Sequence, residues 1–453
     1  MISGQLKESD ARQFWFGSVP ETWPVLRNKN AFVLTNKKVG SSWNDETLLS
    51  LTKGGVIVRD VLSGKGKFPA SFEDYQIVRK SNVIFCLFDI DETPRTVGLS
   101  KHDGMITGAY NVFQCKDNID PRFITYFYIA IDERKGLKPF YTGLRKVVRF
   151  DTFMNAPIPI PEKEIQKEIA DFLDRETARI DQLIEKKTKF LSILEESVET
   201  KITSILTSGL KEGVQHQENK SCPSSEYPNH WKLLKLRHAG SCANGINISG
   251  DAFGSGTPFI SYGDVYKNAQ IPDTILGLVE CSAEDKKRYS IKRGDVLFTR
   301  TSENIEDIGT ASTCMTDVPD GVYAGFLIRF RPNPNVLLPE YSKFLFRNST
   351  VRSFFSKEVM LVTRASLSQN LLKNLPLALP PLNEQIGLAK ILLDIEASHV
   401  ELTSKIKATI LSLREYKSSI ITAAVTGQID VKSYGKSGAV DRHLDHLQDE
   451  GRA

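Results

Sequence analysis

The sequence predicts a mixed α/β (α+β) fold built twice: two globular domains separated by two long helices packed as an antiparallel coiled-coil rod, with pseudo-twofold internal duplication. Three observations carry this prediction. The stretch PIPIPEKEIQKEIADFLD from Pro157 to Asp174 returns as PLALPPLNEQIGLAKILL from Pro376 to Leu393, where Pro157, Pro161, Gln166 and Ala170 meet Pro376, Pro380, Gln385 and Ala389 at one constant offset. Three more pairs keep the same order: VPETW (19–23) with YPNHW (227–231), GMITGAYNVF (104–113) with GVYAGFLIRF (321–330), and TSGL (207–210) with TGQI (426–429). Each entrance opens a long proline-free stretch whose apolar residues fall three or four apart, as a helix burying one stripe requires. A repeat this long is a duplicated domain pair, since solenoid units run only about 20 to 50 residues.

Taken in order, residues 1–156 read as the first globular domain. Its short β-rich runs AFVLT (31–35), VIVRDV (56–61) and NVIFCLF (82–88) are separated by Gly, Asn and Asp, the punctuation of turns. Residues 157–212 form the first helical region. Residues 213–375 repeat the globular pattern with GDVLFT (294–299) and FLIRF (326–330), and 376–432 form the second helical region. The tail 433–453 and the stretch KEGVQHQENKSCPSSEYPNH (211–230) are polar and lack apolar periodicity, so both are expected to be flexible. Trp23 and Trp231, each shortly after a proline at a domain start, are expected to anchor cores.

The stripe of the first helix includes Ile169, Phe172, Ile180, Leu183, Phe190 and Leu194, and that of the second Leu388, Ile391, Leu402, Ile406 and Leu413. Pro161 and Pro381 are placed in the first turn, where a missing N–H costs nothing, with Glu162, Glu164 and Glu384 near the positive end of the helix dipole. A helix of this length spans roughly 60 Å, too long for one small domain to bury its stripe. The other copy's helix is the economical partner; a helix of a separate protein is the rival.

Composition narrows the function. The net charge is only +4, but it is unevenly spread: 1–150 and 213–375 are net positive, 151–212 and 376–453 net negative, a mild footprint for a polyanion on the two globular blocks. The six cysteines show no CxxC or CxH spacing and read as reduced thiols. No apolar run reaches the roughly 18 residues that span a bilayer, and the first thirty residues lack the apolar core of a signal peptide; a cytoplasmic protein without membrane partners is expected. The chemistry of catalysis is missing. SGKGKFP (63–69) lacks the spacing of a phosphate-cradling loop, no GxGxxG, GxSxG or HExxH occurs, and no Asp/Asn/Ser-Pro-Pro-aromatic tetrad is present to hold a base for amino methylation. The acidic runs DIDE (89–92) and SENIED (302–307) read as solvated loops rather than metal sites, so a protein that binds and positions is favoured over one that catalyses.

Residues in both helical regions carry a family likeness. IADFLDRETARID (169–181) continuing to ILTSGL, PPLNEQ (380–385), ITAAVTGQIDV (421–431) and the PxxW openings at Pro20/Trp23 and Pro228/Trp231 closely resemble the specificity (S) subunit of type I restriction-modification enzymes, over about residues 15–432. The first copy departs from the pattern with PEKEIQ, and the second with AKILLD and HVE. The resemblance implies a non-catalytic DNA-recognition subunit whose two target-recognition domains each read one half of a bipartite site in double-stranded DNA. The helical rod would set the spacer and dock two methyltransferase (modification) subunits, with restriction/translocase subunits joining that core. No cofactor is then expected on this chain; S-adenosylmethionine, ATP and magnesium belong to the partner subunits. Two other readings remain open: a DNA-binding adapter or regulator of the same architecture outside a restriction complex, and a coiled-coil scaffold for proteins.

Base edges are read by Arg, Lys, Asn, Gln, Ser and Thr, so polar residues in Gly/Ser-rich loops are the DNA-binding candidates. In the first domain these are Lys65, Lys67, Arg95, Lys101, Arg145 and Lys146; in the second, Asn244, Asn247, Tyr262, Arg300, Thr301, Asn304, Arg364 and Ser366. The loops TRTSEN (299–304) and TRASLSQN (363–370) are the foremost of them.

Overall fold

A computed structural model describes residues 11–60, 71–90, 92–93, 95–143, 146–210, 213–219, 222–302, 304, 307–358, 365–436 and 438–450. Two compact units divide the chain: one joins the residues up to Lys189 to those from Lys405 onward, the other is Phe190–Ser404.

The first unit is built on a four-stranded antiparallel sheet ordered Phe32–Thr35, Asn111–Cys115, Val83–Phe85, Val97–Leu99. Successive side chains of a strand point to opposite faces, and the strand Val83–Phe85 uses both. Val83 and Phe85 enter the large core with Phe32, Phe113, Phe127 and Phe153, while Ile84 joins Leu49, Val56, Ile106 and Val112 on the other side. The helix Pro121–Glu133 covers the aromatic face; proline sits in its first turn and the Asp120 side chain accepts the Arg122 N–H at its N-terminus.

The second unit repeats the plan. Its sheet is ordered Gly240–Asn244, Leu327–Pro332, Val296–Thr299, Ala311–Thr313, again antiparallel throughout. Val296 and Phe298 face one core and Leu297 the other, and a helix opening with proline, Pro339–Leu345, lies on the same face as before.

The duplicated entrances have a structural meaning. Pro157–Pro159 pairs antiparallel with Val25–Arg27, and Pro376–Leu379 with Lys232–Lys235, so each entrance is a strand stitched to the residues just after the PxxW motif. Proline donates no ladder bond and therefore fits such two-stranded ribbons. The matched glutamines follow. Gln166, fully buried, donates to the Pro161 and Asn118 carbonyls at 2.7 and 3.1 Å and accepts the Asp120 N–H at 2.9 Å. Gln385, also buried, donates to the Pro380 and Val336 carbonyls at 2.9 and 3.1 Å and accepts the Leu338 N–H at 2.9 Å. Each amide ties the start of a long helix to the loop that launches its domain's covering helix.

The long helices are continuous over Lys163–Ser208 and Leu382–Val425. They begin just after Pro161 and Pro381, which lie ahead of the first turn rather than inside it; the Pro381 carbonyl accepts the Gln385 N–H at 2.9 Å. Each unit holds half of each helix, and within each the start of one lies against the end of the other, an antiparallel pairing. In the first unit Ile169, Phe172, Leu173 and Ile180 share a core with Leu413, Ile420 and Ala424, and Lys417 grips Asp181 at 2.6 Å. In the second, Ile205 and Leu206 share a core with Leu388, Ala389 and Leu392, with Ile391 half-buried against it. Leu183, Leu194 and Leu402 are half-buried, Ile406 is buried, and Phe190 of the predicted stripe is 49% exposed.

Both helices end at a glycine in the left-handed region, Gly209 (φ +71°) and Gly427 (φ +69°), the usual stop for a helix. Each glycine lies beneath a tryptophan. A Cβ on Gly209 would stand 3.4 Å from the Trp231 ring, and one on Gly427 3.0 Å from the Trp23 ring and 2.6 Å from Pro20. Trp23 and Trp231 are both buried, and the small-residue stops TSGL and TGQI are what lets the rings close down.

Two expectations of flexibility are corrected. Within 211–230, His216–Glu218 and Glu226–Pro228 form an antiparallel hairpin that buries Cys222 and Tyr227. In the tail, Val431–Lys436 and Ala439–Glu450 are helices: Val440 and Leu444 are buried in the first unit's core, Tyr434 meets Phe172 edge-on at 6.2 Å, and Arg179 pairs with Asp441. Cys222 and Tyr227 are too few to produce a periodic signal for the hairpin, whereas in the tail Val440, Leu444 and Leu447 do fall at the i, i+4, i+7 spacing of a helix.

Candidate nucleic-acid interface

In the second unit the buried strand Val296–Thr299 runs out into Arg300, and there the two foremost loops meet. Thr301–Ser302 pairs antiparallel with Ala365–Ser366, the Leu367 N–H reaches the Arg300 carbonyl at 2.7 Å, and the Arg300 N–H reaches the Phe326 carbonyl at 2.9 Å. Sequence distance hid this junction: TRTSEN and TRASLSQN lie far apart along the chain. Asn304 caps its own loop, donating its backbone N–H to the Ser302 hydroxyl at 3.2 Å and its side chain to Asp307 at 3.3 Å.

Tyr262 arrives from a neighbouring element. It opens the short helix Tyr262–Lys267, capped reciprocally by Ser261 and Asp264, and its ring stacks on Tyr266 at 5.8 Å with 17° between planes. Burial raises the pKa of the Tyr262 hydroxyl against the opposing hydrogen bond to Ser302, and that of Tyr266 is raised by its bond to Asp307. Arg347 fixes this helix from beneath, its guanidinium donating to the carbonyls of Tyr266, Asn268 and Ala311 at 3.0, 2.7 and 3.0 Å. At the sheet end, the Asn244 and Gln369 amides face each other at 2.9 Å, and the Asn247 side-chain oxygen lies 1.8 Å from where a Cβ on Gly325 would be. Asn247, Tyr262, Arg300, Thr301, Asn304 and Ser366 thus form one loop cluster, with Asn244 at its edge; Arg364 lies outside the described residues.

The first unit contains the same junction in a different costume. After Val83–Phe85, the Leu87 carbonyl accepts the Val148 N–H at 2.9 Å, the counterpart of the Arg300 and Leu367 bond, and Val147–Val148 pairs with Tyr141–Thr142 in a hairpin. Lys146 stands exposed in that hairpin's turn at φ 48°. Lys101 is exposed in the loop between Val97–Leu99 and Gly104–Ile106. Arg95 is held by acids instead: its guanidinium is 3.7 Å from Asp132 and 3.6 Å from Glu133, and only 18% of the side chain is exposed. Lys65, Lys67 and Arg145 lie outside the described residues.

Sequence reasoning missed a basic groove on this unit. Lys37, Arg79, Lys80, Lys116 and Lys163 line it beside Thr35, Asn82 and Gln114. The signal was present as single lysines in four separate segments, which only the fold gathers. Among the described residues no group of three or more His, Cys, Asp and Glu is placed to hold a metal ion, and no helix is long and apolar enough to cross a membrane.

The family model described as "Type I restriction modification DNA specificity domain" matches residues 80–191 and 244–412, spanning both loop junctions and most of both helices. The chain belongs to this family. The EcoKI specificity subunit of Escherichia coli strain K12 is 23% identical over 91% of this chain and 90% of its own length, and the MjaVIII specificity subunit of Methanocaldococcus jannaschii 22% identical over 94% and 97%. A third relative, from the same archaeon, is 30% identical over 227 residues, and this chain spans only about half (52%) of its length. Among solved structures, a chain of a type I restriction-modification system aligns with TM-score 0.69 at 16% identity, covering 91% of this chain and 99% of that one. The HsdS subunit of Thermoanaerobacter tengcongensis aligns with TM-score 0.52, also at 16% identity, over 91% and 98%. As a member of the specificity family the chain serves DNA sequence recognition and carries out no chemistry of its own.

Proposed function

We propose that each globular part, 1–156 and 213–375, is a target-recognition domain reading one half of a bipartite site in double-stranded DNA. The paired helical regions, 157–212 and 376–432, set the unread spacer and dock two methyltransferase subunits. The observation that carries this reading is the duplication itself: two sheets of identical strand order, each ending in a loop junction bridged by one backbone bond, Leu87 with Val148 and Arg300 with Leu367. Two copies of one reading platform on one chain suit two half-sites. Polar loop residues are the groups that distinguish base pairs in the major groove, while the lysines of the first unit's groove suit phosphates. S-adenosylmethionine would be bound by the methyltransferase subunits, and ATP with magnesium by restriction/translocase subunits, all in the cytoplasm.

Single-molecule methylation mapping of the host with and without the gene tests this. Loss of one adenine mark at a split sequence is expected on deletion; an unchanged methylome, or loss of an unsplit site, overturns the reading.

A further inference from the structure

Phe326 is the residue of the second unit's loop cluster that the polar reading leaves unexplained. It is 62% exposed, although it immediately precedes the fully buried strand residues Leu327 and Ile328. Its position is fixed on every side by backbone bonds. The turn it occupies is closed by the Leu327 N–H to the Ala324 carbonyl at 3.0 Å, and the Phe326 carbonyl itself accepts the Arg300 N–H at 2.9 Å. The Gly245 N–H holds the Leu327 carbonyl at 3.2 Å and the Ala324 N–H holds that of Ile260 at 3.0 Å. A Cβ on Gly325 would displace the Asn247 side chain and lie 3.1 Å from the Ile246 carbonyl. The backbone that carries the ring is therefore held in place, and most of the ring stands in water.

Its surroundings identify what it meets. The neighbours Asn247, Arg300, Thr301 and Ser366 are polar or basic, and the turn between them is the junction described above. A protein-docking centre is expected to group several aliphatic side chains, and among the described residues of the cluster, Asn247, Tyr262, Arg300, Thr301, Asn304 and Ser366, there is no aliphatic one. An exposed ring beside hydrogen-bonding groups, in a cluster whose other described rings are the stacked Tyr262 and Tyr266, instead matches a base pair in the major groove, where thymine presents a C5-methyl group beside its acceptor. A rigid mount lowers the ordering cost of such a contact. The matched turn of the first unit, closed by the Tyr110 N–H to the Thr107 carbonyl at 3.3 Å, carries Ala109 where this one carries Phe326, so the feature belongs to one domain alone.

We propose that Phe326 is a specificity-determining residue whose ring packs on the methyl group of a thymine in one half of the target site. This rests on the function proposed above. The test uses the full chain co-expressed with its methyltransferase subunits. Methylation mapping first gives the site, and binding is then measured on duplexes in which each thymine in turn is replaced by uracil, which removes only the methyl. For the wild type, one such replacement, confined to one half-site, is expected to weaken binding about tenfold, the scale of one mismatched pair. Phe326→Ala should bind the thymine and uracil duplexes alike and methylate sites relaxed at that one pair, with the other half-site unchanged, while Phe326→Leu keeps part of the discrimination. The inference is overturned if Phe326→Ala still discriminates, if it loses affinity equally on all sequences, or if it fails to assemble with the methyltransferase, which would make the ring a protein contact. A wild-type chain that leaves no split mark overturns the underlying reading; a split mark untouched by Phe326→Ala overturns this inference alone.

Discussion

Gln166 and Gln385 show how a single side chain converts a sequence repeat into a structural one. Each is a buried amide with both ends used, and each makes three hydrogen bonds, one to a proline carbonyl of its own helix entrance and two to the domain's loop. Removing such a group strands its partners, and a buried unpaired donor or acceptor costs about 1–3 kcal/mol. Gln385→Ala is expected to destabilise the second unit by roughly 2–4 kcal/mol, seen as a lower urea midpoint. Hydrogen exchange localises the effect: the Leu338 amide, bonded to Gln385, should lose protection while the Asp120 amide, bonded to Gln166, keeps it. Equal protection of Leu338 in both proteins would refute the linking role. The matched glutamines were legible in the sequence, but their partners were not, because Asn118 and Val336 stand in loops with no pattern of their own.

At the scale of elements, the helix stops are the clearest test of the packing. Both glycines adopt a left-handed backbone that costs an L side chain about 1 kcal/mol, but they differ in room. A Cβ at Gly427 meets Pro20 at 2.6 Å and Trp23 at 3.0 Å, whereas at Gly209 the nearest atoms are the Glu384 carboxylate at 3.2 Å and Trp231 at 3.4 Å. Gly427→Ala should therefore cost roughly 2–3 kcal/mol and Gly209→Ala roughly 1–2 kcal/mol, an order that calorimetry of the two variants reads directly; the reverse order would mean the tryptophans are not seated on the glycines. Element type was well signalled where periodicity was long: both apolar stripes fall inside the continuous helices Lys163–Ser208 and Leu382–Val425. Short elements were not. The tail helix Ala439–Glu450 carries Val440, Leu444 and Leu447 at helical spacing, but over a short run; the hairpin 216–228 depends on Cys222 and Tyr227 finding distant partners, and two apolar residues leave no period to read. The loop cluster was only half legible for the same reason. Arg300 and Ser366 were named from local composition, but their convergence through the Thr301 and Ser366 pairing, and the exposure of Phe326 beside them, are products of the fold.

For the whole molecule, the proposed ruler makes a quantitative demand on the two helices. They run for 46 and 44 residues, roughly 65–70 Å at 1.5 Å per residue, with no proline in either. Their stripes repeat at three and four residues, so removing seven from each keeps the apolar faces in phase. Removing residues 187–193 and 398–404 together takes equal lengths from the antiparallel partners and avoids the buried Ile180, Leu388 and Leu413. Each helix then shortens by about 10 Å, which corresponds to about three base pairs at 3.4 Å of rise. The double deletion is expected to methylate the same two half-sites at a spacer about three base pairs shorter, whereas either deletion alone leaves one helix about 10 Å shorter than its partner and should abolish the mark. Three base pairs also turn one half-site by nearly a third of a helical turn relative to the other. Activity at the shorter spacer therefore requires the recognition domains to rotate with the DNA; a double deletion that assembles with the methyltransferase but methylates only at the original spacer removes the helices from the role of ruler.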